Sequence, residues 1–183
     1  GKWWMKGTAR RRRTYKCTYK ELNMSATDRK ELGAALGKVS SGMFIVTAAD
    51  DDARTGILAS WVQQASFEPP MITVAVKKGR KIEEFLKEDA PFAVNVIGET
   101  GKRLIQRFVK GVEPDQDLFE GLEVSKGESG APVVDEALAY LECKVRGTLD
   151  AGDHTVYTGE VISGKLLSDG PPRVHVRESG LHY

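Results

Sequence analysis

Periodic patterning of apolar and polar residues begins just after Met24, whereas residues 1–20 follow neither a helical nor a strand period. Thr27-Asp28-Arg29-Lys30-Glu31 predicts a helix start with Thr27 as N-cap, although Lys30 stands where a capping box would place an acid. Leu32, Ala35, Leu36 and Val39 supply its apolar stripe, which ends at Ser41-Gly42. Met43 to Ala48 predicts a strand from its β-branched content. The acidic run Asp50-Asp51-Asp52 and the residues to Gly56 predict a hairpin turn, and Ile57 to Val62 the returning strand. Pro69-Pro70 breaks the chain before Met71 to Val76, a strand apolar at most positions and so expected inside a sheet. Lys77-Lys78-Gly79-Arg80-Lys81 is a basic turn leading into a short helix with Ile82, Phe85 and Leu86 on one face. Phe92 to Ile97 is another buried strand, and a helix over 101–109 turns Leu104, Ile105 and Phe108 inward.

The stretch 110–136 is rich in loop residues, with short strands near Leu122-Glu123-Val124 and Pro132-Val133-Val134. Two long runs, Ala137 to Leu149 and His154 to Leu167, form a hairpin about Gly152-Asp153, and Arg173–Val176 is expected to finish the sheet. Gly147, Gly159 and Gly164 within the long strands suggest bulges, the means by which a sheet curls into a barrel. The pattern predicts one mainly β domain, barrel-like, with peripheral helices.

Composition changes this picture little. The 183 residues are 40% hydrophobic and 29% charged, which excludes a disordered chain and a membrane-embedded one. Charge distribution changes it more. The net +1 is the sum of a +7 segment, residues 1–23, and a −6 body, so a nucleic-acid reading can rest only on that segment. Three readings stay open for the segment. It is part of a longer polypeptide, the product of an over-extended reading frame whose start is Met24, or a patch at Arg10–Arg13 that binds phosphates or an acidic partner. The domain proper is then 24–183. Cys17 and Cys143 are too few for a disulfide scaffold or a structural zinc site, and a reduced, cytoplasmic setting follows. No apolar run is long enough to span a bilayer. The Asp50–Asp52 run lacks the alternating ligands of a calcium loop, so no metal is expected there.

Dinucleotide, P-loop, hydrolase-elbow and zinc signatures are all absent. What stands out is Ala59-Ser60-Trp61-Val62-Gln63-Gln64-Ala65-Ser66, read as a strand end and loop. It offers hydroxyl, indole and amide groups suited to a planar, hydrogen-bonding heterocycle. One buried strand later, Lys77, Lys78, Arg80 and Lys81 put cations at a helix start, where a phosphate would be favoured. Each feature also has a plain structural reading, as a strand end and as a solvated turn.

The segment Gly56 to Pro70, ending in its double proline, resembles the flavin-binding segment of the flavin reductase-like, FMN-binding split-barrel domains. Phe92-Ala93-Val94-Asn95-Val96-Ile97, Ala137 to Cys143, and Gly152-Asp153-His154 with Gly159-Glu160-Val161 are similar to that family's later motifs, in the same order. Stand-alone flavin reductases and the C-terminal reductase domain of diflavin flavoproteins share this likeness. The resemblance implies a split β-barrel homodimer with FMN near the subunit interface. It implies that Leu58, Ala59, Ser60 and Trp61 border the ring, and that Gln63 and Gln64 contact the ring or ribityl chain in place of the family's hydroxyl residues. Lys77, Arg80 and Lys81 would face the phosphate, and Asn95 would lie close to the cofactor. His154 would sit where nicotinamide stacks, or else act only as a hairpin residue fixing the turn through Asp153. Gly101 stands where many relatives carry Gln.

The implied activity is hydride transfer from NADH or NADPH to flavin N5, with onward delivery to an oxygenase or other acceptor protein. The competing readings are an FMN-binding electron-transfer module reduced by a partner protein, and a non-redox split barrel that binds haem, another ligand or only a partner.

Overall fold

The computed structural model describes residues 24–51, 53–110 and 117–182. The basic segment with Cys17, and Asp52 of the acidic run, lie outside the described residues. Helix α1 (Ala26–Gly37) is followed by β1 (Ser41–Gly42), β2 (Phe44–Asp50), β3 (Ala53–Ala59), β4 (Val62–Phe67), β5 (Pro70–Lys77), a single 3-10 turn (Lys81–Glu84) and β6 (Pro91–Val96). Helix α2 (Lys102–Lys110), β7 (Val124–Lys126), β8 (Pro132–Val134), β9 (Ala139–Ala151), β10 (His154–Leu166) and β11 (Val174–His175) complete the order.

Seven strands form one antiparallel sheet in the order β3-β2-β6-β9-β10-β5-β4. Its two edges, β3 and β4, are consecutive in the chain and joined only by Ser60-Trp61. A flat sheet would hold those edges about 29 Å apart at the usual strand spacing. The three Cα steps from Ala59 to Val62 span at most about 11 Å. The sheet therefore curls until its edges meet at that corner, and the Trp61 carbonyl accepts from Ala75 N–H of β5 (2.9 Å). This is the split barrel expected from the sequence. Register shifts at Thr158/Gly159 and Val161/Ser163 relieve the curl in the long β9–β10 hairpin.

Alternating residues fill two cores. Inside the curl pack Val46, Val62, Ile72, Val74, Val76, Ile82, Phe92, Val94, Val145 and Tyr157. Outside it, Ile45, Ile97 and Val134 pack beneath α2 through Leu104 and Phe108, as its stripe predicts. Cys143 lies in the inner core. Burial and, secondarily, the Glu142 carboxylate push its thiol up to about 12, so it stays protonated and inert.

Several expectations need correction. The N-cap of α1 is Ser25, whose hydroxyl accepts from Asp28 N–H (3.1 Å), because the helix starts earlier than Thr27. The acidic hairpin turn is short, and Arg54 to Gly56 already belong to β3. Residues 63–66, read as a loop, belong to the edge strand β4, and Val62, expected to end the returning strand, opens β4 instead. The polar stretch reads as loop because an edge strand tolerates polar residues on its open side. The segment Arg173–Val176 does not finish the main sheet. It yields β11, which pairs only with β1. The stripe of α1 is not buried either: Leu32, Leu36 and Val39 are all exposed, and the helix packs instead through Gly33 and Gly37.

Asn95 of β6 knits three strands together. Its amide donates to the Ile45 carbonyl (3.0 Å) and the Thr47 hydroxyl (3.2 Å), and its carbonyl accepts from Val134 N–H (2.8 Å). All of it is buried. Asn95→Ala leaves the Val134 N–H without its acceptor, and a loss of about 1–3 kcal/mol is expected. A urea midpoint lowered at unchanged slope is the predicted result, and an unshifted midpoint would show that the knot contributes nothing.

Candidate functional site

The corner where the sheet edges meet gathers most of the chemistry. Trp61 lines a groove of about 240 Å³ together with Val39, Ser41, Ser60, Gln63 and Thr73. The His154 ring lies 4.8 Å from the indole, centroid to centroid, tilted by 51°. The guanidinium of Arg177, from the C-terminal segment, stands 4.9 Å from the centre of the same indole.

His154 opens β10 and is opposite Lys77 in the β5 register, so the barrel wall brings the basic turn to Trp61. Only 4% of His154 is exposed. Its Nδ1 lies 2.8 Å from Asp153 Oδ1, so the ring proton belongs on Nδ1 while that carboxylate is ionised. The bond from His154 holds the Asp153 carboxyl below the ordinary carboxylate range, against opposing desolvation, with Lys77 assisting. The hairpin role weighed for His154 is thus present in the structure.

The basic turn differs from its expected form. No helix begins there, only the four-residue 3-10 turn. The backbone donors that would cradle an anion are engaged: Lys78 N–H with the Asp153 carbonyl, Gly79 N–H with Glu83 Oε2 (2.7 Å), and Arg80 N–H with the Lys77 carbonyl. Glu83 also accepts from the Tyr157 hydroxyl (3.4 Å), which burial and that carboxylate push up to about 12. Lys78 is spent as well, donating to Asp150 and to the Gly152 carbonyl. These bonds dock the turn on the β9–β10 hairpin. They leave the exposed side chains of Lys77, Arg80 and Lys81 to carry any attraction for an anion, and among the described residues none of the three forms an ion pair.

The structure therefore brings together Ser60, Trp61, Gln63, Lys77 and His154, with Arg80 and Lys81 on the adjoining turn. It does not bring all the expected residues to the groove. Leu58 faces the outer core and Ala59 the inner one. Gln64 bonds to the Ser66 carbonyl of its own strand (3.3 Å). Asn95 is buried with its amide engaged between β2 and β8, and does not reach the groove. Sequence reasoning missed Arg177; the signal available was the alternation Arg173-Val174-His175-Val176-Arg177. A second cleft of about 450 Å³ lies at the other end of β3, lined by Asp50, Arg54, Ser125, Lys126 and Ser129. Among the described residues no group of three or more His, Cys, Asp or Glu could hold a metal, and no helix is long and apolar enough to cross a membrane.

Residues 36–180 match the flavin reductase like domain. Diflavin flavoprotein A 1 of Synechocystis sp. is 36% identical over 155 residues, 84% of this chain and 27% of that protein. Another diflavin flavoprotein-like chain of the same strain is 39% identical over 96% of this chain and 29% of its own length, an alignment that reaches into the segment before Met24. The chain thus spans under a third of the curated relatives it matches. Among solved structures, the Streptomyces globisporus C-1027 NADH:FAD oxidoreductase SgcE6 superposes with a TM-score of 0.75 at 28% identity, covering 86% of this chain and 93% of that one. Flavin reductase HpaC, solved with NADP+, gives 0.68 at 26% identity over 79% and 90%. With the split barrel and the matched residues in agreement, this chain belongs to the flavin reductase like domain family.

Proposed function

We propose that the chain is an FMN-binding, NAD(P)H-dependent flavin oxidoreductase domain whose cofactor lies at the Trp61 corner. The observation that carries this is the meeting of groove, indole and basic side chains, which form no ion pair among the described residues, at the place where the sheet closes. A flavin bound there supplies hydride acceptance from the nicotinamide. The protein's own residues have simpler tasks. Ser60, Gln63 and Thr73 offer hydroxyl and amide groups along the groove, and Trp61 gives it an aromatic wall. His154 acts beneath Trp61, holding the indole in place through the bond to Asp153.

The donor set favours FMN over FAD. A terminal phosphate monoester carries nearly two charges at neutral pH, and Lys77, Arg80 and Lys81 offer three cations; the phosphodiester groups of FAD carry one charge each. The groove is smaller than the roughly 300–1,000 Å³ usual for a small-molecule site. We assign the missing wall to a second copy in a homodimer, consistent with Val39, a groove residue that is largely exposed. The activity would feed an oxygenase or another acceptor protein. A second reading, an electron-transfer module reduced by another protein, is favoured by the greater length of the diflavin relatives.

Arg80→Ala should weaken FMN binding by at least about tenfold, the loss of a charge-assisted bond of roughly 1.5–3 kcal/mol. Flavin fluorescence titration reads this, and equal affinity would remove Arg80 from the phosphate site. Anaerobic stopped-flow mixing of the FMN-loaded protein with NADH and with NADPH decides the activity. Flavin bleaching within seconds by either nucleotide is the expected result, and a flavin that stays oxidised with both favours the electron-transfer module.

A further inference from the structure

The basic turn is closed by an acid. Glu83 is half-buried, three residues after Arg80, and it is tied to the turn twice. Its N–H bonds to the Arg80 carbonyl (3.0 Å), and its Oε2 accepts from Gly79 N–H (2.7 Å). Gly79 holds a left-handed backbone, φ 83°, which suits glycine. Of the three backbone donors engaged at the turn, its N–H is the one bonded to a charged group. Lys78 N–H and Arg80 N–H both meet neutral carbonyls.

The carboxylates near the turn are not alike. Asp150 is paired with Lys78 (2.7 Å), and Asp153 bonds to the His154 ring (2.8 Å). Glu83 is held by neutral donors on both oxygens, Gly79 N–H on one and the Tyr157 hydroxyl (3.4 Å) on the other. Among the described residues it forms no ion pair, and neither do Lys77, Arg80 and Lys81. Its negative charge therefore stands inside a cationic turn without being cancelled by contact with a cation. The Tyr157 hydroxyl senses it: burial first, and then this carboxylate, push that group up to about 12. Docking the turn does not require the charge. A glutamine amide oxygen could accept the same Gly79 N–H. What the carboxylate adds is a field opposite in sign to the lysine and arginine side chains and like in sign to a phosphate.

We propose that Glu83 is a specificity-determining residue of the basic turn, whose charge weakens the hold of Lys77, Arg80 and Lys81 on the flavin phosphate so that FMN exchanges with solution. The proposal rests on the reading of this turn as the phosphate site. A phosphate monoester with nearly two negative charges is drawn by the three cations and repelled by the carboxylate in their midst. Riboflavin carries the same ring and ribityl chain without the phosphate, and it feels neither force. Exchange of this kind suits a domain that hands reduced flavin to an acceptor.

Fluorescence titrations of wild type and Glu83→Gln with FMN and with riboflavin test this. The variant is expected to bind FMN at least about fivefold tighter and to release it correspondingly more slowly, with riboflavin affinity unchanged. A purely structural latch predicts the opposite sign. Losing its charge-assisted bond to Gly79 would loosen the turn and weaken FMN binding. Equal or weaker FMN binding by the variant, or a gain for riboflavin as large as that for FMN, overturns the proposal. If Glu83→Gln does not fold, Glu83→Ala replaces it, with the same gain expected and the same results overturning it. Arg80→Ala separates the two readings. FMN binding weakened by Arg80→Ala and unchanged by Glu83→Gln refutes the role of Glu83 alone. FMN affinity moved by neither substitution refutes the phosphate site, and the role of Glu83 with it.

Discussion

The two edge strands of the main sheet, β3 and β4, follow one another in the chain with only Ser60 and Trp61 between them. That covalent link forces seven strands to curl, and most other features follow from the curl. It encloses the inner core on one face. On the other face it leaves a shallow surface that α2 covers through Leu104 and Phe108. It also leaves Trp61 between β3 and β4, tied to β5 through its carbonyl, so that the indole stands at the seam where polar edge residues of β4 meet β5 and β10. An unpaired edge is normally a hazard in a β protein. Here the seam between two edges becomes a groove.

Charge is arranged around the same seam. The body is acidic overall, yet its basic turn is held beside His154 by a set of internal bonds that consume Lys78, Glu83 and three backbone donors. Those bonds fix the backbone of the turn and leave Lys77, Arg80 and Lys81 exposed, with no ion pair among the described residues. On the proposed reading, a phosphate there would be held by side-chain charge alone, without a helix terminus. Asp153 limits the local excess of positive charge and orients His154 in the same contact.

The long hairpin, the buried strands and the amphipathic α2 were legible because each carries a strong signal: a nearly continuous apolar run for β6, the alternation of Leu141, Cys143 and Val145 with charged residues in β9, and a 3.6 period for the stripe of Leu104, Ile105 and Phe108. The strand identity of residues 63–66 was not legible, since Gln63 and Gln64 are exposed on an edge strand, where no core enforces alternation. Asn95 was drawn to the cofactor by its motif, whereas its amide is needed to join β2, β6 and β8. A buried polar side chain within an apolar strand is as readily a structural knot as a ligand. The role of α1 was hidden by its composition. Gly33 and Gly37 make its contacts, and a hydrophobic pattern cannot register a contact made by backbone. Arg177 was missed because its partner, Trp61, is over a hundred residues away in sequence.

The central claim, that the flavin lies at the Trp61 seam, is tested most directly by the indole N–H signals of 15N-labelled protein during titration with FMN. The Trp61 signal is identified by its loss in Trp61→Phe. The account predicts that this signal shifts or broadens in step with flavin binding. A Trp61 signal unchanged at saturating flavin would contradict it.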